Sequence, residues 1–310
     1  MTETGPGPLA PKPPEDDAGG SGTVQPDPRP RNRTARFAWT ATVVILVAVV
    51  ALMIYALSGS PSTPQVVHRT ITSSDVVSTL AGVPPAVSDS IGVSSPRTPL
   101  VPPTVLTGQP SLRSGGKPEV LYVGAEFCSF CGSERWALIV ALSRFGHFTD
   151  LRDMQSAPSS VFPGIQTFSF VGTTYASRYI TFAGVELFSD VANANGVFTR
   201  IAKLTPAQSA VVNRYGIAPP GGPSAGVLPF VDINNQMVTS TSGFSPAVIE
   251  RQSQVAIAGE LSQPDTATGQ AIVASANYLS AGICAATGQQ PASICTSKGV
   301  RAAAEALGLG

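Results

Sequence analysis

A chain of 310 residues with 19 basic and 19 acidic side chains has no net charge with which to hold a nucleic-acid backbone. Its length allows one large domain or two small ones. Four cysteines in two close pairs, Cys128/Cys131 and Cys284/Cys295, point to an oxidising compartment or to redox work.

Residues 1–36 are rich in proline, glycine and acidic side chains and poor in aromatics, so a disordered cytoplasmic tail is expected. The run FAWTATVVILVAVVALMIYAL, residues 37–57, carries no charge. As a helix it would span roughly 30 Å, the thickness of a bilayer core. Arg29, Arg31, Arg33 and Arg36 precede it, and the first basic residues after it are His68 and Arg69. The positive-inside bias then puts the N-terminus in the cytoplasm and everything after Leu57 outside it. Trp39 and Tyr55 sit near the two ends, where interfacial aromatics belong. A cleaved signal peptide is the alternative, since YALSGS resembles a weak cleavage site. Against it, the leader is long and the apolar run exceeds the roughly 7–15 residues of a signal core. A single-pass anchor in the cell membrane is the reading, with the bilayer as its first partner.

Residues 58–110 read as a linker with short helices. SGSPSTP leaves the membrane segment, Ser73 or Ser74 caps a helix, and the proline-rich stretch from Val93 to Pro118 suits an edge strand at most. The folded core is expected from 111 to 262. EVLYVGAEF opens with a short apolar run, as in a strand buried on both faces. SERWALIVALSRFG follows as a helix, with Trp136, Ile139 and Val140 at helical spacing and Gly146 as its stop. Phe148–Met154, TFSFVG and Tyr179–Phe188 read as strands, and TPAQSAVVNRYG as a helix with a Thr-Pro start. VLPFVDINNQMVTSTSG is expected as two strands about a turn at Asn234–Asn235. SPAVIERQSQVAIAG is expected as one helix capped by Ser245. An alanine-rich helical extension over 263–310 closes the chain, interrupted near CAATGQQPASIC.

Cys128 falls where a strand gives way to a helix. The first turn of a helix offers unpaired N–H groups and the positive end of the dipole. A thiolate there is stabilised, so Cys128 is the expected nucleophile. Cys131, one turn deeper, is placed to attack a mixed disulfide and release it. A structural bond between the two remains open, as does a zinc site, although the second pair lacks zinc-finger spacing. Cys284 and Cys295 are expected as a structural disulfide closing a short loop; a shuttle role towards the CxxC is the alternative. Phe127, Phe130 and Trp136 are candidates for a peptide groove, with Trp136 better suited to the core and Phe130 partly exposed. His147 is expected to be exposed after the helix.

The strand–CxxC–helix unit, Pro229 and the closing strand–strand–helix resemble the thioredoxin-like superfamily. The narrower strings VLYVGAEFCSFCGSERWALIVALSRFG and TFSFVGTTYASRYITFAGVELF resemble the uncharacterised family called domain of unknown function 929. The likeness covers roughly Ser111–Gly259. The superfamily resemblance implies an α/β, thioredoxin-like fold with an inserted segment before a cis-proline strand, preceded here by one transmembrane helix. It implies Cys128 and Cys131 as the catalytic pair, and Phe130, Leu228 and Pro229 along a substrate groove. Pro229 would be cis, which only proline adopts at small cost. Classical thioredoxins carry a buried aspartate on the strand before the CxxC, used as a proton acceptor, and Tyr122 stands in the matching place. Glu126 is the nearest candidate proton relay; a solvated glutamate is the competing reading. Ser129–Phe130 between the cysteines matches neither a Gly-Pro pair nor a histidine-bearing one. The expected activity is extracytoplasmic thiol–disulfide exchange on exported proteins or a membrane redox partner. No cofactor, metal or nucleic acid is expected, since GGPSAG lacks the strand–helix setting of a dinucleotide loop. The alternative is a non-catalytic envelope binding module with structural disulfides.

Overall fold

A computed structural model of the full chain describes residues 69–216 and 228–309. The tail over 1–36, the apolar run 37–57 and the start of the linker lie outside the described residues. Among the described residues no helix is long and apolar enough to cross a membrane.

Two short helices come first, α1 (Ser74–Ala81) and α2 (Pro85–Ile91). Ser73 caps α1, its hydroxyl accepting from the Val76 N–H. Two fragments follow, β1 (Thr104–Val105) and β2 (Arg113–Ser114), as the proline content permits. The central strand is β3 (Lys117–Gly124), buried without a break from Val120 to Gly124. Helix α3 (Ser129–Ser143) follows it.

Between α3 and the closing hairpin the described residues include seven strands. They are β4 (Gly146–Thr149), β5 (Arg152–Gln155), β6 (Gln166–Ser169), β7 (Thr174–Ser177), β8 (Thr181–Glu186), β9 (Phe188–Ala192) and β10 (Phe198–Arg200). Helix α4 (Pro206–Tyr215) comes next, with a capping box between Thr205 and Gln208. Then come β11 (Phe230–Ile233) and β12 (Met237–Thr239). The turn between them has Asn234 and Asn235 both at positive φ, a conformation asparagine tolerates.

The main sheet runs β1-β12-β11-β3, with β8 on the far side of β3 and β2 pairing with the start of β3. β8 is parallel to β3, with Gly124 opposite Glu186. β11 is antiparallel, with Phe230 opposite Val123. β4 pairs with β7, β5 with β6 and β9 with β10 as separate ribbons.

Period-two alternation sends the two faces of the sheet to different cores. Val120, Tyr122, Val231 and Ile233 face the larger one, with α3. Leu121, Val123, Phe230 and Val238 face a smaller one closed by Val211 and Val212 of α4. The result is a mixed α/β fold with helices on both faces of the sheet.

Three expectations need correction. Phe148–Met154 is not one strand, because Asp150 takes a positive φ and divides it into β4 and β5. Ser245 does cap a turn, but only a 3₁₀ turn over Pro246–Val248. It ends at Val248, Arg251 follows at positive φ, and a separate helix α5 (Gln254–Glu260) starts with Ser253 as its cap. The C-terminal stretch is helical, as α6 (Ala267–Ala286), α7 (Ala292–Cys295) and α8 (Lys298–Leu307), but it is no appendage. α6 is buried from Ala271 to Cys284 and packs against α3 inside the larger core.

Candidate active site

Ala125–Cys128 turn over the C-terminal ends of the parallel strands β3 and β8, where open α/β sheets place their ligands. Cys128 is the N-cap of α3, with extended backbone. Its Sγ accepts the Cys131 N–H at 3.3 Å, taking one of the donors a helix start leaves unpaired. Cys128 is half-buried and Cys131 fully buried, and both are thiols. The Cys131 thiol, its backbone N–H and the Arg135 charge hold Cys128 below the usual thiol range, against the effect of burial. Burial, and then the hydrogen bond to Cys128 and the Cys128 charge, push Cys131 well above that range; Arg135 opposes them. One thiol is thus poised as a nucleophile and the other is held protonated behind it.

Beneath the pair lies a buried ion pair. Arg135 of α3 donates from Nε to Glu186 Oε1 at 2.9 Å and from Nη2 to Glu186 Oε2 at 2.8 Å. Nη2 also reaches the Ala125 carbonyl at 2.9 Å, tying α3 to the loop before Cys128. Both side chains are wholly shielded from solvent. A fork-to-fork pair of this kind is the geometry that offsets desolvation best. The sequence reading missed both residues. A Glu134–Arg135 step inside an otherwise uncharged helix was the visible signal; Glu186, at the end of an apolar strand, was the other.

Glu126 is not solvated. It is 3% exposed, with Arg69 Nη2 2.7 Å from its Oε2 and the Ser169 hydroxyl donating to its Oε1. Arg69 also contacts Asp190 at 2.6 Å. Both carboxylate oxygens are therefore engaged, and neither bonds a cysteine. A role as proton relay would have to displace one of these partners.

Phe130 is half-buried, its ring 5.8 Å from that of Phe162. The segment Ser156–Gly164 is strapped across the start of α3. The Ser129 N–H donates to the Ser160 hydroxyl at 3.0 Å, and the Ala157 N–H to the Phe127 carbonyl at 3.0 Å. Val161, 76% exposed, stands at the strap's outer face. On the hairpin of β9 and β10, Phe198 stacks on Phe127 with centroids 4.2 Å apart. The Leu228–Pro229 peptide is cis, and Pro229 is buried. Extending the Phe230–Val123 register, Pro229 meets β3 at Gly124, the end from which the CxxC loop leaves. Leu228 packs with the smaller core. Phe130 and Leu228 thus belong to different packing groups. Trp136 is core, donating from Nε1 to the Gln166 carbonyl at 2.9 Å. His147 is exposed, on β4.

Cys284 and Cys295 form a disulfide, so the second pair is not available as zinc ligands to the first. Among the described residues no group of three or more His, Cys, Asp or Glu side chains is placed to hold a metal ion.

Comparison with curated proteins finds no match, and neither does comparison with solved structures. A family model does match, over residues 105–285, which takes in the whole CxxC unit, the ribbons and the closing hairpin as far as α6. The chain belongs to the family described as a domain of unknown function, DUF929.

Proposed function

We propose that this protein is a membrane-anchored, extracytoplasmic thiol–disulfide oxidoreductase of thioredoxin-like fold, acting on exported proteins or on a membrane redox partner. One observation carries the reading. A half-buried Cys128 caps α3 with its thiol held below the usual range, and a buried Cys131 lies one turn behind it. That is the division of labour thiol exchange needs: one sulfur that a substrate can reach and one that resolves the mixed disulfide.

The strand order supports the fold part of the proposal. β3 lies between a parallel partner reached through α3 and an antiparallel hairpin, in the order β8-β3-β11-β12. Pro229 at the start of β11 is in keeping with it. The membrane anchor and orientation rest on the uncharged run 37–57 and the arginines before it.

The test is the reduction potential of Cys128–Cys131 in the full chain, by equilibration with glutathione or dithiothreitol and thiol trapping. A Cys284→Ser/Cys295→Ser variant is the control. A potential between about −270 and −120 mV, the span of known exchange enzymes, is expected. So is a trapped mixed disulfide in Cys131→Ser. A bond far harder to reduce, with nothing trapped, would leave the second reading, a non-catalytic envelope module. What favours that reading is Tyr122, standing where classical thioredoxins carry an acid.

A further inference from the structure

Resolving a mixed disulfide requires Cys131 as a thiolate, yet burial opposes that charge. An acid to take the proton is not at Tyr122, and Glu126 is committed to Arg69 and Ser169. Two other polar atoms beneath the loop have no hydrogen-bond partner among the described residues: Nη1 of Arg135 and the hydroxyl of Tyr122. Both side chains are fully buried and both atoms can donate.

The two converge. The Tyr122 hydroxyl lies against Gly124, where an added Cβ would overlap it. The neighbouring Ala125 carbonyl holds Arg135 Nη2, and the guanidinium carbon is 5.8 Å from the centre of the Tyr122 ring. Arg135 follows Cys131 by four residues, which puts the two on one face of α3. Glu186 and Ala125 occupy Nε and Nη2, so the fork is anchored while its Nη1 edge is uncommitted.

We propose that Arg135, with the Tyr122 hydroxyl, is the positioning residue that holds Cys131 as a thiolate during exchange, a cation and a neutral donor serving where an acid is expected. The inference rests on the thiol-exchange reading of the CxxC. In the reducing direction the Cys128 thiolate attacks one sulfur of a substrate disulfide, and the other sulfur leaves as a thiolate. Cys131 then gives up its proton to that departing thiolate, and its sulfur attacks Cys128 Sγ. The Cys128–Cys131 bond forms, the mixed disulfide breaks, and the second departing thiolate takes its proton from solvent. The dithiol is oxidised and the substrate disulfide reduced; the oxidising direction is the reverse. The charged and titratable groups that act on Cys131 are Cys128 at the cap of α3, Arg135 within α3, Tyr122 from β3 and Glu186 from β8. Glu126 acts on Glu186 from the loop.

The test follows the Cβ resonance of ¹³C-labelled Cys131 against pH in the full chain carrying Cys128→Ser. The Cys284–Cys295 disulfide gives no titration. Glu186→Gln keeps an acceptor for Arg135 but removes the opposing charge. It should lower the Cys131 midpoint by about one pH unit, or ~tenfold in thiolate fraction below the midpoint. Arg135→Met/Glu186→Gln should raise it above that of the parent. Tyr122→Phe should raise it by less, and Arg135→Lys should return it towards the parent value. With both cysteines present, the rate of mixed-disulfide resolution at neutral pH should follow the same order. A purely structural role would move the Glu186→Gln and Arg135→Met/Glu186→Gln variants in the same direction, or neither, and that result overturns the proposal. If circular dichroism shows the double variant unfolded, Glu186→Gln decides alone, an unchanged or raised midpoint overturning it. Absence of any mixed disulfide in Cys131→Ser would instead remove the exchange reading itself. Normal trapping with an Arg135-independent midpoint would remove only this inference.

Discussion

Glu134 sits between the two residues that matter most to the CxxC helix, and it behaves differently from both. It is 1% exposed and accepts one hydrogen bond, from the Gly243 N–H to its Oε2 at 2.8 Å. Among the described residues no cation offsets its charge, and burial lifts its pKa from the ordinary 4.5 to about 8, against the pull of that N–H. It lines a cavity of about 10 Å³ with Thr239 and Ser275. Below the unfolded value both states are protonated and stability does not depend on this group. Between 4.5 and about 8 the unfolded chain releases the proton while the fold keeps it, so stability falls as pH rises, and levels off above that. Glu134→Gln retains an acceptor for Gly243. It should leave stability unchanged near pH 4 and raise it at pH 7 by on the order of 2–3 kcal/mol. Urea unfolding at the two pH values reads both; equal effects at both would show that the carboxyl ionises freely in the fold. Asp232, lifted to about 7 mainly by burial, adds a contribution of the same sign over a lower window.

At the scale of elements, α3 is buried on nearly every side, which explains how a helix can carry Ser133, Glu134 and Arg135 inside a core. Each polar group is met by a different neighbour: Ser242 for Ser133, Gly243 for Glu134, Glu186 for Arg135. Gly132 lets the same helix press on Ile165, and its carbonyl takes the Thr167 hydroxyl at 2.7 Å. The other end of α3 is pinned by Arg144, which donates to Asn277 and Ser280 of α6 and to Ser88 of α2. Asn277 in turn holds the Ser88 and Gly92 carbonyls, so three helices share one polar knot. The disulfide is a separate device. It joins the end of α6 to α7 across a separation of 11 residues. Cys284→Ser/Cys295→Ser should cost about 2–3 kcal/mol by chain entropy. Denaturant midpoints should fall accordingly while Cys128 alkylation stays unchanged. A change in Cys128 reactivity would revive a shuttle between the two pairs.

For the molecule as a whole, the C-terminal helices are part of the fold rather than an extension of it. α6 supplies Ala271, Ile272, Val273 and Ile283 to the core that also holds Val120, Tyr122 and Trp136. Removing 263–310 would uncover the flank of α3 that α6 covers and the part of the sheet where Gly282 meets Ile233 and Met237, and buried aliphatic side chains contribute about 1.5–3 kcal/mol each. Such losses exceed the margin of a typical domain. The truncated chain should therefore lose cooperative thermal unfolding, followed by near-ultraviolet circular dichroism of Trp136 and its neighbours. A sharp transition at an unchanged temperature would restore the boundary at 262.

Local signals in the sequence determined most of the elements. The apolar run Val120–Val123, the Ser73 and Thr205 caps, the Asn234–Asn235 turn and the Cys128 N-cap are all short-range patterns, each set by a few neighbouring residues. The same locality explains what failed: one residue at positive φ, Asp150 or Arg251, divides an element without altering its hydrophobic pattern. Tertiary structure alone decided the electrostatics of the site. Arg135 meets Glu186 across 51 residues, and Arg69 meets Glu126 across 57. Burial, pairing and pKa at those separations depend on which strands lie side by side. The position of Cys128 was readable because a helix start makes its own field, whereas the surroundings of Cys131 come from β3, β8 and α3 brought together by the fold.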